Sequence, residues 1–161
     1  MSESGMLERF DTLAGYQAAM QSLVSHARKH LCFCERTLQE SAFGARACTE
    51  LMVQFLSASP SSTVRILVLD PTYLVQHCPR LLLLSRRFPQ RMTIRIPVEM
   101  PSGWHQGFAL ADEAFFLKRH HWDWMRGEYG ENRREFVVLS QVFEYVWAQA
   151  LPPAGIEQLT L

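Results

Sequence analysis

Residues 104–112 read Trp-His-Gln-Gly-Phe-Ala-Leu-Ala-Asp, the part of the sequence that is most diagnostic of its fold. His105 and Asp112 stand seven positions apart, and the apolar run Phe108–Ala111 between them has the length and composition of a buried strand. An acidic pair that begins at Asp112 joins this run to a second strand-like run, Ala114–Arg119. Two strands with a short polar link predict a β-hairpin, and the histidine lies just before its first strand.

Outside the hairpin, helical and strand-like patterns alternate along the chain. Apolar residues at helical spacing predict helices at Leu13–His30, Phe43–Leu56, Pro79–Phe88 and Asn132–Ala150. Short runs of apolar residues predict further strands at Leu31–Cys34, Val64–Leu69 and Met92–Ile96. The segment His120–Glu131 is polar, aromatic and irregular, and residues 1–10 and 152–161 are predicted to be loose ends.

The run Val64–Leu69 favours an α/β fold class. Its side chains are apolar almost without interruption, which is typical of a strand that helices cover on both faces. Together with the alternation of helices and strands, it predicts a mixed β-sheet with helices on both faces. A length of 161 residues suits one domain, so residues 1–161 are expected to form a single domain without a linker or repeat.

The overall charge argues against a strongly basic protein. The chain has 16 Lys and Arg residues and 16 Asp and Glu residues, so its net charge is zero. The longest strongly apolar run, Leu81–Leu84, is far shorter than the roughly 18 residues that a membrane-spanning helix needs. The first residues are polar and lack the apolar core of a signal peptide. A cytoplasmic location is therefore expected.

The cysteines and histidines give little indication of a metal site. Cys32 and Cys34 form a C-x-C pair within a predicted strand, but no second Cys or His pair follows at the spacing of a zinc site. Buried thiols are the simpler interpretation. His120 and His121 are adjacent, and adjacent side chains on an extended chain point apart. We therefore expect no metal and no cofactor.

The spacing of His105 and Asp112 resembles the HxKxxxxD signature of the phospholipase D superfamily, whose members cleave phosphodiesters through a phosphohistidine. Gly107 occupies the position of the signature lysine. The predicted order of helices and strands is also similar to that of a phospholipase D half-domain over nearly the whole chain. The resemblance implies a half-domain with a degenerate signature, of the kind found in bacterial proteins of uncharacterised role.

The resemblance also implies a role for each signature position. His105 would be the nucleophile or the general acid, and Asp112 would orient a histidine, usually that of a second motif. Gly107 cannot hold a phosphate charge. The glycine-serine-x-asparagine segment of the family is missing from residues 116–122, and Asn132 is only a distant counterpart. A chain with one signature would complete an active site only as a homodimer.

Other residues near the hairpin are candidates for binding a ligand. Arg119 and His121 could replace the missing lysine, because they lie one hairpin strand away from the signature histidine. The set of candidate ligand-binding residues is completed by Asn132, Arg95 and Trp104. Structural alternatives stay open for the signature itself, since His105 could cap its strand and Asp112 suits an ordinary hairpin turn.

A run of basic residues follows the strand that ends near Asp70. Between Asp70 and Glu99 every charged residue is an arginine, namely Arg80, Arg86, Arg87, Arg91 and Arg95. A local basic face can bind a phosphate backbone or an acidic partner. An ordinary solvated helix face, paired with carboxylates elsewhere, is the alternative.

The polar segment 120–124 contains two tryptophans, Trp122 and Trp124. Trp104 and Tyr129 lie near this segment in sequence. Such rings can stack on a base, a sugar or a side chain of a partner protein. They can equally pin the loop to the core of the protein.

The favoured function is a catalytically degenerate phospholipase D-like domain that acts as a binding or interaction module. Its expected ligand is a phosphate-bearing molecule such as nucleic acid, or else a protein partner. The alternative is an active phosphodiesterase or nuclease that works as a homodimer through His105, and a third hypothesis is a structural dimerisation domain. The enzyme requires two copies of His105 in one site, whereas the binding module does not.

Overall fold

The computed structural model of the protein describes residues 5–153, which form one seven-stranded sheet and five helices. The strands are β1 (Leu7–Phe10), β2 (His30–Glu35), β3 (Thr63–Val68), β4 (Met92–Arg95), β5 (Gly107–Ala111), β6 (Phe115–Arg119) and β7 (Gly127–Glu131). The helices are α1 (Leu13–His26), α2 (Arg46–Ala58), α3 (Thr72–His77), α4 (Pro79–Arg87) and α5 (Arg133–Trp147).

The sheet is mixed, as the sequence predicts. Its strand order is β1-β7-β6-β5-β2-β3-β4, in which β2, β3 and β4 run parallel and every other neighbouring pair is antiparallel. Helix α1 contacts β5, β6 and β7 and packs on α2, whereas α5 contacts β5 and β6 from the opposite face. The predicted fold class, a mixed sheet with helices on both faces, is confirmed.

Alternation along the strands separates two cores, one on each face of the sheet. In β2, Leu31 and Phe33 belong to the core that includes α1, α2 and α4, whereas Cys32 and Cys34 belong to the core beneath α5. Burial of both faces explains why this strand is apolar at nearly every position. The four cysteines of the chain are buried and unpaired, so they pack as small apolar side chains.

Two strands at one edge of the sheet correct the sequence prediction. Residues 7–10, predicted as part of a loose end, form β1 and pair with β7, which lies in the segment 120–131 that is predicted to be irregular. Gly130 lets the two backbones approach closely, because a Cβ there would lie 3.0 Å from Leu7 Cα. The prediction is wrong here because β7 contains two glycines and no branched residue, and so lacks the pattern of a strand.

The ends of the helices also differ from the prediction. Helix α1 ends at His26 rather than His30, because Ala27 adopts an extended conformation and the chain turns into β2. Helix α3 is absent from the prediction, since six residues are too few to show a helical period. Helix α5 ends at Trp147 rather than Ala150.

The C-terminal segment is joined to the edge of the sheet next to β4. Leu151 and Ile96 exchange two backbone hydrogen bonds of 2.7 and 2.9 Å. Residues 1–4 and 154–161, which belong to the segments predicted to be loose ends, lie outside the described residues. Within residues 5–153, no helix combines the length and the apolarity that crossing a bilayer requires.

Candidate functional site

A row of three residues crosses the sheet at the end where the signature histidine lies. Glu35 ends β2, Gly107 begins β5 and Arg119 ends β6, and the strand registers place Gly107 opposite Arg119 and next to Glu35. All three face α1, because Phe33 and Ala109, two positions away on the same strands, belong to the core on that side. The row forms the buried base of the candidate site.

An ion pair fills this row. Arg119 Nη2 lies 2.5 Å from Glu35 Oε1, and Tyr16 of α1 donates its hydroxyl proton to Glu35 Oε2 over 3.2 Å. The Arg119 guanidinium also lies 4.9 Å from the centre of the Tyr16 ring and 3.7 Å from Glu40. Glu35 and Arg119 are each 1% exposed. Arg119, a predicted substitute for the signature lysine, therefore has no surface that a ligand could reach in this conformation.

Burial dominates the electrostatics of the ion pair. It raises the pKa of Glu35 to about 7, against the opposing effect of the Arg119 charge. Burial and the neighbouring Glu35 carboxylate also raise the pKa of Tyr16, so this phenol stays protonated and continues to donate. Because an unpaired charge in this place would be costly, Glu35 and Arg119 depend on each other.

The Glu35 carboxylate occupies the space that a side chain at position 107 would need. A Cβ added to Gly107 would overlap both carboxylate oxygens and lie 2.6 Å from Glu35 Cδ. A lysine at this position, as in the phospholipase D signature, would therefore require the Glu35 carboxylate to move away from its present place. A buried acidic group stands where the signature has a cation, and an ionised carboxylate repels a phosphate.

His105 is exposed and begins a column of three rings. The centre of its ring lies 4.8 Å from that of His121 with an interplanar angle of 32°. His121 lies 5.2 Å from Trp124, at 33°, and Trp124 is 52% exposed. We call His105, His121 and Trp124 the ring column. Arg126 extends it, since its guanidinium lies 5.9 Å from the centre of the Trp124 ring.

Hydrogen bonds to Nδ1 determine which nitrogen is protonated when the two histidines are neutral. His105 Nδ1 lies 2.8 Å from the Gly103 carbonyl oxygen, which can only accept, so this Nδ1 carries the proton. His121 Nδ1 accepts from the backbone N–H of Asp123 over 3.0 Å, so the proton of this ring is on Nε2. His105 thus offers an unprotonated Nε2, and His121 offers an Nε2–H donor.

The loop between β6 and β7, which carries His121 and Trp124, is anchored at several points. The Trp122 N–H donates to the His105 carbonyl over 2.8 Å, and Arg119 Nη1 donates to the Trp122 carbonyl over 3.2 Å. Arg36, directly after β2, pairs with the Asp123 carboxylate at 2.7 Å. The buried ion pair and the ring column are therefore connected through this loop.

The loop shows both outcomes that the sequence left open for its aromatic residues. Trp122 is half-buried, with the Arg36 guanidinium 5.9 Å from its ring centre, and Trp124 is exposed. Tyr129 is 1% exposed and belongs to the core of the protein. Trp122 pins the loop, whereas about half of the Trp124 surface is open to solvent.

Asp112 lies at the opposite end of β5 from His105. It occupies the hairpin turn with φ 57°, and its carboxylate accepts from the backbone N–H groups of Arg28, Lys29 and His30 at 3.1, 2.7 and 3.2 Å. The five-residue strand between the two signature residues is about 17 Å long, at ~3.4 Å per residue. Asp112 therefore cannot orient His105 of its own chain, and its contacts are those of a structural turn residue.

Two of the candidate ligand-binding residues lie on the other face of the sheet. The Arg95 guanidinium lies 4.3 Å from the centre of the Trp147 ring and donates to the Trp147 carbonyl over 3.2 Å. Trp104 packs edge-on against Phe108, with ring centres 5.8 Å apart, in the core beneath α5. Both residues serve packing around α5 and lie across the sheet from Arg119.

Asn132 has a capping role at the start of α5. Its side-chain oxygen accepts from the Glu135 N–H over 2.9 Å, and its own N–H donates to the Ala114 carbonyl next to the hairpin turn. Asn132 thus lies at the Asp112 end of the sheet. Of the candidate ligand-binding residues, His121 is the one that contacts the His105 ring.

The predicted basic face is divided between different parts of the fold. Arg91 donates to the backbone carbonyls of Leu56 and Ser59 and so closes the end of α2. Arg95 stacks on Trp147, as described above. The remaining three arginines, Arg80, Arg86 and Arg87, belong to α4.

Sequence reasoning missed several residues of the site, namely Tyr16, Glu35, Arg36, Glu40 and Arg126. Glu35 carries a signal in retrospect, because it is a charged residue at the end of a strand that is otherwise buried. Tyr16 fits the apolar stripe of α1, so nothing in its spacing distinguishes it from a core residue. The partner of each is a residue on another element, which no local pattern contains.

The arrangement has limited chemical capacity around His105. The free His105 Nε2 can accept a proton or attack an electrophile, and the His121 Nε2–H can donate. Two arginines contact this loop, namely Arg36, which is paired with Asp123, and Arg126, which lies over the Trp124 ring. Among the described residues, no group of three or more His, Cys, Asp and Glu side chains is arranged to hold a metal ion.

Comparisons with known proteins place the chain in a family. A family model described as "Domain of unknown function (DUF7931)" matches residues 12–159. Among curated proteins, none matches the sequence. Several solved structures are similar in fold, each at low sequence identity.

TrmBL2, described as an archaeal chromatin protein with a novel mode of DNA binding, is similar with a TM-score of 0.69 and 9% identity over 95% of this chain. This chain spans only 56% of the TrmBL2 chain. NucT from Helicobacter pylori is similar with a TM-score of 0.66 and 9% identity, over 93% of this chain and 100% of its own.

Nuc from Salmonella typhimurium, described as a phospholipase D family member, has a TM-score of 0.62 and 9% identity, over 91% of this chain and 97% of its own. At such identities the likeness concerns the fold alone. The chain belongs to the DUF7931 family and has the phospholipase D-like fold that the stretch around His105 implies.

Proposed function

We propose that this protein is a catalytically degenerate phospholipase D-like domain that binds a phosphate-bearing ligand, with nucleic acid as the ligand to test first. Residues 1–161 would act as one domain in the cytoplasm. The binding surface would be the end of the sheet that carries the ring column and the loop between β6 and β7.

One observation carries the proposal, namely the Glu35 carboxylate in the space beside Gly107. Catalysis of phosphoryl transfer depends on fixed positive charge around the phosphate, which is usually the largest contribution to rate. Here the position of the signature lysine has no side chain, the Glu35 carboxylate fills the space beside it, and Arg119 is paired with Glu35. The missing cation supports loss of catalysis.

Exposed groups around the ring column support retention of binding. Arg126 is an exposed cation that can meet phosphate oxygens, and Trp124 offers an exposed ring. Arg36 is paired with Asp123 and could contact a phosphate only by exchanging that partner. TrmBL2, a protein of similar fold, is described as binding DNA, which makes nucleic acid a reasonable first ligand.

The test combines hydrolysis and binding. Hydrolysis of a chromogenic phosphodiester and of single-stranded DNA is measured for the wild-type protein and for His105→Ala. Binding of fluorescent single-stranded DNA is measured by anisotropy at increasing salt. We expect no turnover by either protein. The logarithm of the association constant for DNA should fall linearly with the logarithm of the salt concentration, with a slope of about −0.7 for each phosphate that the protein contacts. Turnover that His105→Ala abolishes, or no binding at low salt, would contradict the proposal.

A second candidate function is an active phosphodiesterase or nuclease that works through His105 in a homodimer. The unprotonated His105 Nε2 favours it, because this atom is the one that a nucleophile or general base requires. The same hydrolysis assay decides between the two, and sedimentation of the active species would show whether two chains are present. A monomer with turnover would contradict the homodimer.

A further inference from the structure

The outer end of the ring column lies beside an open cleft. The cleft has a volume of about 300 Å3 and is lined by Asp11, Trp124, Met125 and Arg126. This is the lower end of the range of ~300–1,000 Å3 for small-molecule sites, so the cleft suits a single ring system rather than a large ligand. Trp124 is therefore accessible from the cleft.

We propose that the ring column binds an unpaired base of a single-stranded nucleic acid, which stacks at Trp124 in this cleft. The inference rests on the proposed function and adds that the ligand is recognised through its bases as well as its phosphates. The preference for single strands follows, because the bases of a duplex are already stacked and paired.

The geometry of the column favours stacking. His105, His121 and Trp124 follow one another at 4.8 and 5.2 Å with interplanar angles near 30° (32° and 33°). The Trp124 ring thus stacks against His121, which in turn stacks against His105, and the Trp124 backbone N–H donates to the His121 carbonyl over 3.0 Å. Because the ring is already ordered, little conformational entropy is lost when a base stacks on it.

The charges around the cleft favour a base inside it and phosphates outside. The Asp11 carboxylate lines the cleft, and it repels a phosphate but can accept a hydrogen bond from an exocyclic amino group. Arg126 lies over the Trp124 ring and can contact a base or the phosphate next to it. Cytosine, which has an amino group, is the base to test.

The experiment measures anisotropy of three labelled probes of about 12 nucleotides, within the ~4–16 nucleotide site sizes of single-strand-binding folds. They are oligodeoxycytidine, an abasic strand with the same phosphates, and a duplex. We expect the wild type to bind oligodeoxycytidine at least about fivefold more tightly than the abasic strand or the duplex. Trp124→Ala should reduce oligodeoxycytidine affinity to that for the abasic strand, and Trp124→Phe should retain part of the difference.

Tyr145→Ala is the matched control, because Tyr145 is 56% exposed but belongs to α5 on the other face of the sheet. It should leave the preference for oligodeoxycytidine unchanged. Thermal melting checks that each variant is folded. If Trp124→Ala does not fold, Trp124→Phe is compared with the wild type instead.

The outcomes separate this inference from the proposed function. Equal binding of oligodeoxycytidine and the abasic strand by the wild type would overturn base stacking while leaving phosphate binding intact. A preference that survives in both Trp124 variants would place the base elsewhere and would also overturn the inference. Failure of all three probes to bind would overturn the proposed function and the inference with it.

Discussion

Glu35 and Gly107 depend on each other, because the carboxylate of the first fills the space beside the backbone of the second. Neighbouring strands bring them together, and Arg119 then compensates the charge of Glu35 at 2.5 Å. The glycine in place of the signature lysine was visible in the sequence, but its physical reason was not. Glu35 and Gly107 are 72 positions apart along the chain (107 − 35), so no local pattern relates them.

Gly107→Ala should lower the free energy of unfolding by about 1–3 kcal/mol, the usual cost of forcing a group into a packed site. Glu35→Ala should lower it by about 3–5 kcal/mol, because Arg119 then loses its buried partner. When Glu35 is already alanine, the methyl group that Gly107→Ala adds has room. The double variant should therefore lose less unfolding free energy than the two single variants lose together. Urea unfolding of the four proteins measures the coupling, and simple additivity would contradict the contact.

At the scale of elements, Asp112 links the β5–β6 hairpin to the end of α1. Its carboxylate accepts from three successive backbone N–H groups where α1 leads into β2, and its φ of 57° closes the turn. The sequence indicated the turn from local composition. It could not indicate the partners, because residues 28–30 lie more than eighty positions away, as Arg28 and Asp112 show.

Asp112→Ala should lower the free energy of unfolding by about 1–2 kcal/mol, because the N–H groups lose their acceptor and alanine is strained at positive φ. Asp112→Asn should cost less, since it keeps one acceptor oxygen and tolerates this conformation. Glu113→Ala, an exposed residue of the same turn, is the control and should change stability by less than about 0.5 kcal/mol. Equal effects at the two positions would contradict the linking role.

Across the whole molecule, burial of the Glu35 carboxyl should make stability depend on pH, because burial favours the protonated, uncharged form of this group even beside Arg119. The pKa of Glu35 is raised from an ordinary value near 4.5 to about 7 in the folded protein. The folded state therefore binds the proton more tightly than the unfolded chain does. The contribution of Glu35 to stability is therefore fully present below pH ~4.5, where the group is protonated in both states, and is lost as pH rises through about 7 and the buried carboxyl ionises.

We expect the free energy of unfolding to fall between pH 5 and pH 8 by up to ~3 kcal/mol from this group, at about 1.4 kcal/mol per pKa unit. Glu35→Gln, which keeps an acceptor for Arg119, should lose this part of the pH dependence. Subtracting the pH profile of Glu35→Gln from that of the wild type removes the contribution of histidines, which titrate in the same pH range. Parallel profiles would contradict the prediction, and a carboxyl titration of Glu35 by NMR tests it if the variant does not fold.

The order of most elements followed from the sequence alone, because helical and strand periods depend on residues that are close along the chain. The runs Val64–Leu69 and Phe108–Ala111 therefore predicted strands, and the spacing of His105 and Asp112 predicted the fold family. The glycine-containing strand β7 and its partner β1 escaped this reasoning, because their pairing, rather than their own residue pattern, makes them strands.

The site itself was decided by tertiary structure. Tyr16, Glu35 and Arg119 come from a helix and two strands, and only the assembled sheet brings them into contact. The ring column likewise joins His105 to a loop that follows another strand. Local sequence determined where each residue lies within its helix or strand. Burial and charge pairing between distant elements decided which residues meet, because these energies exist only in the folded chain.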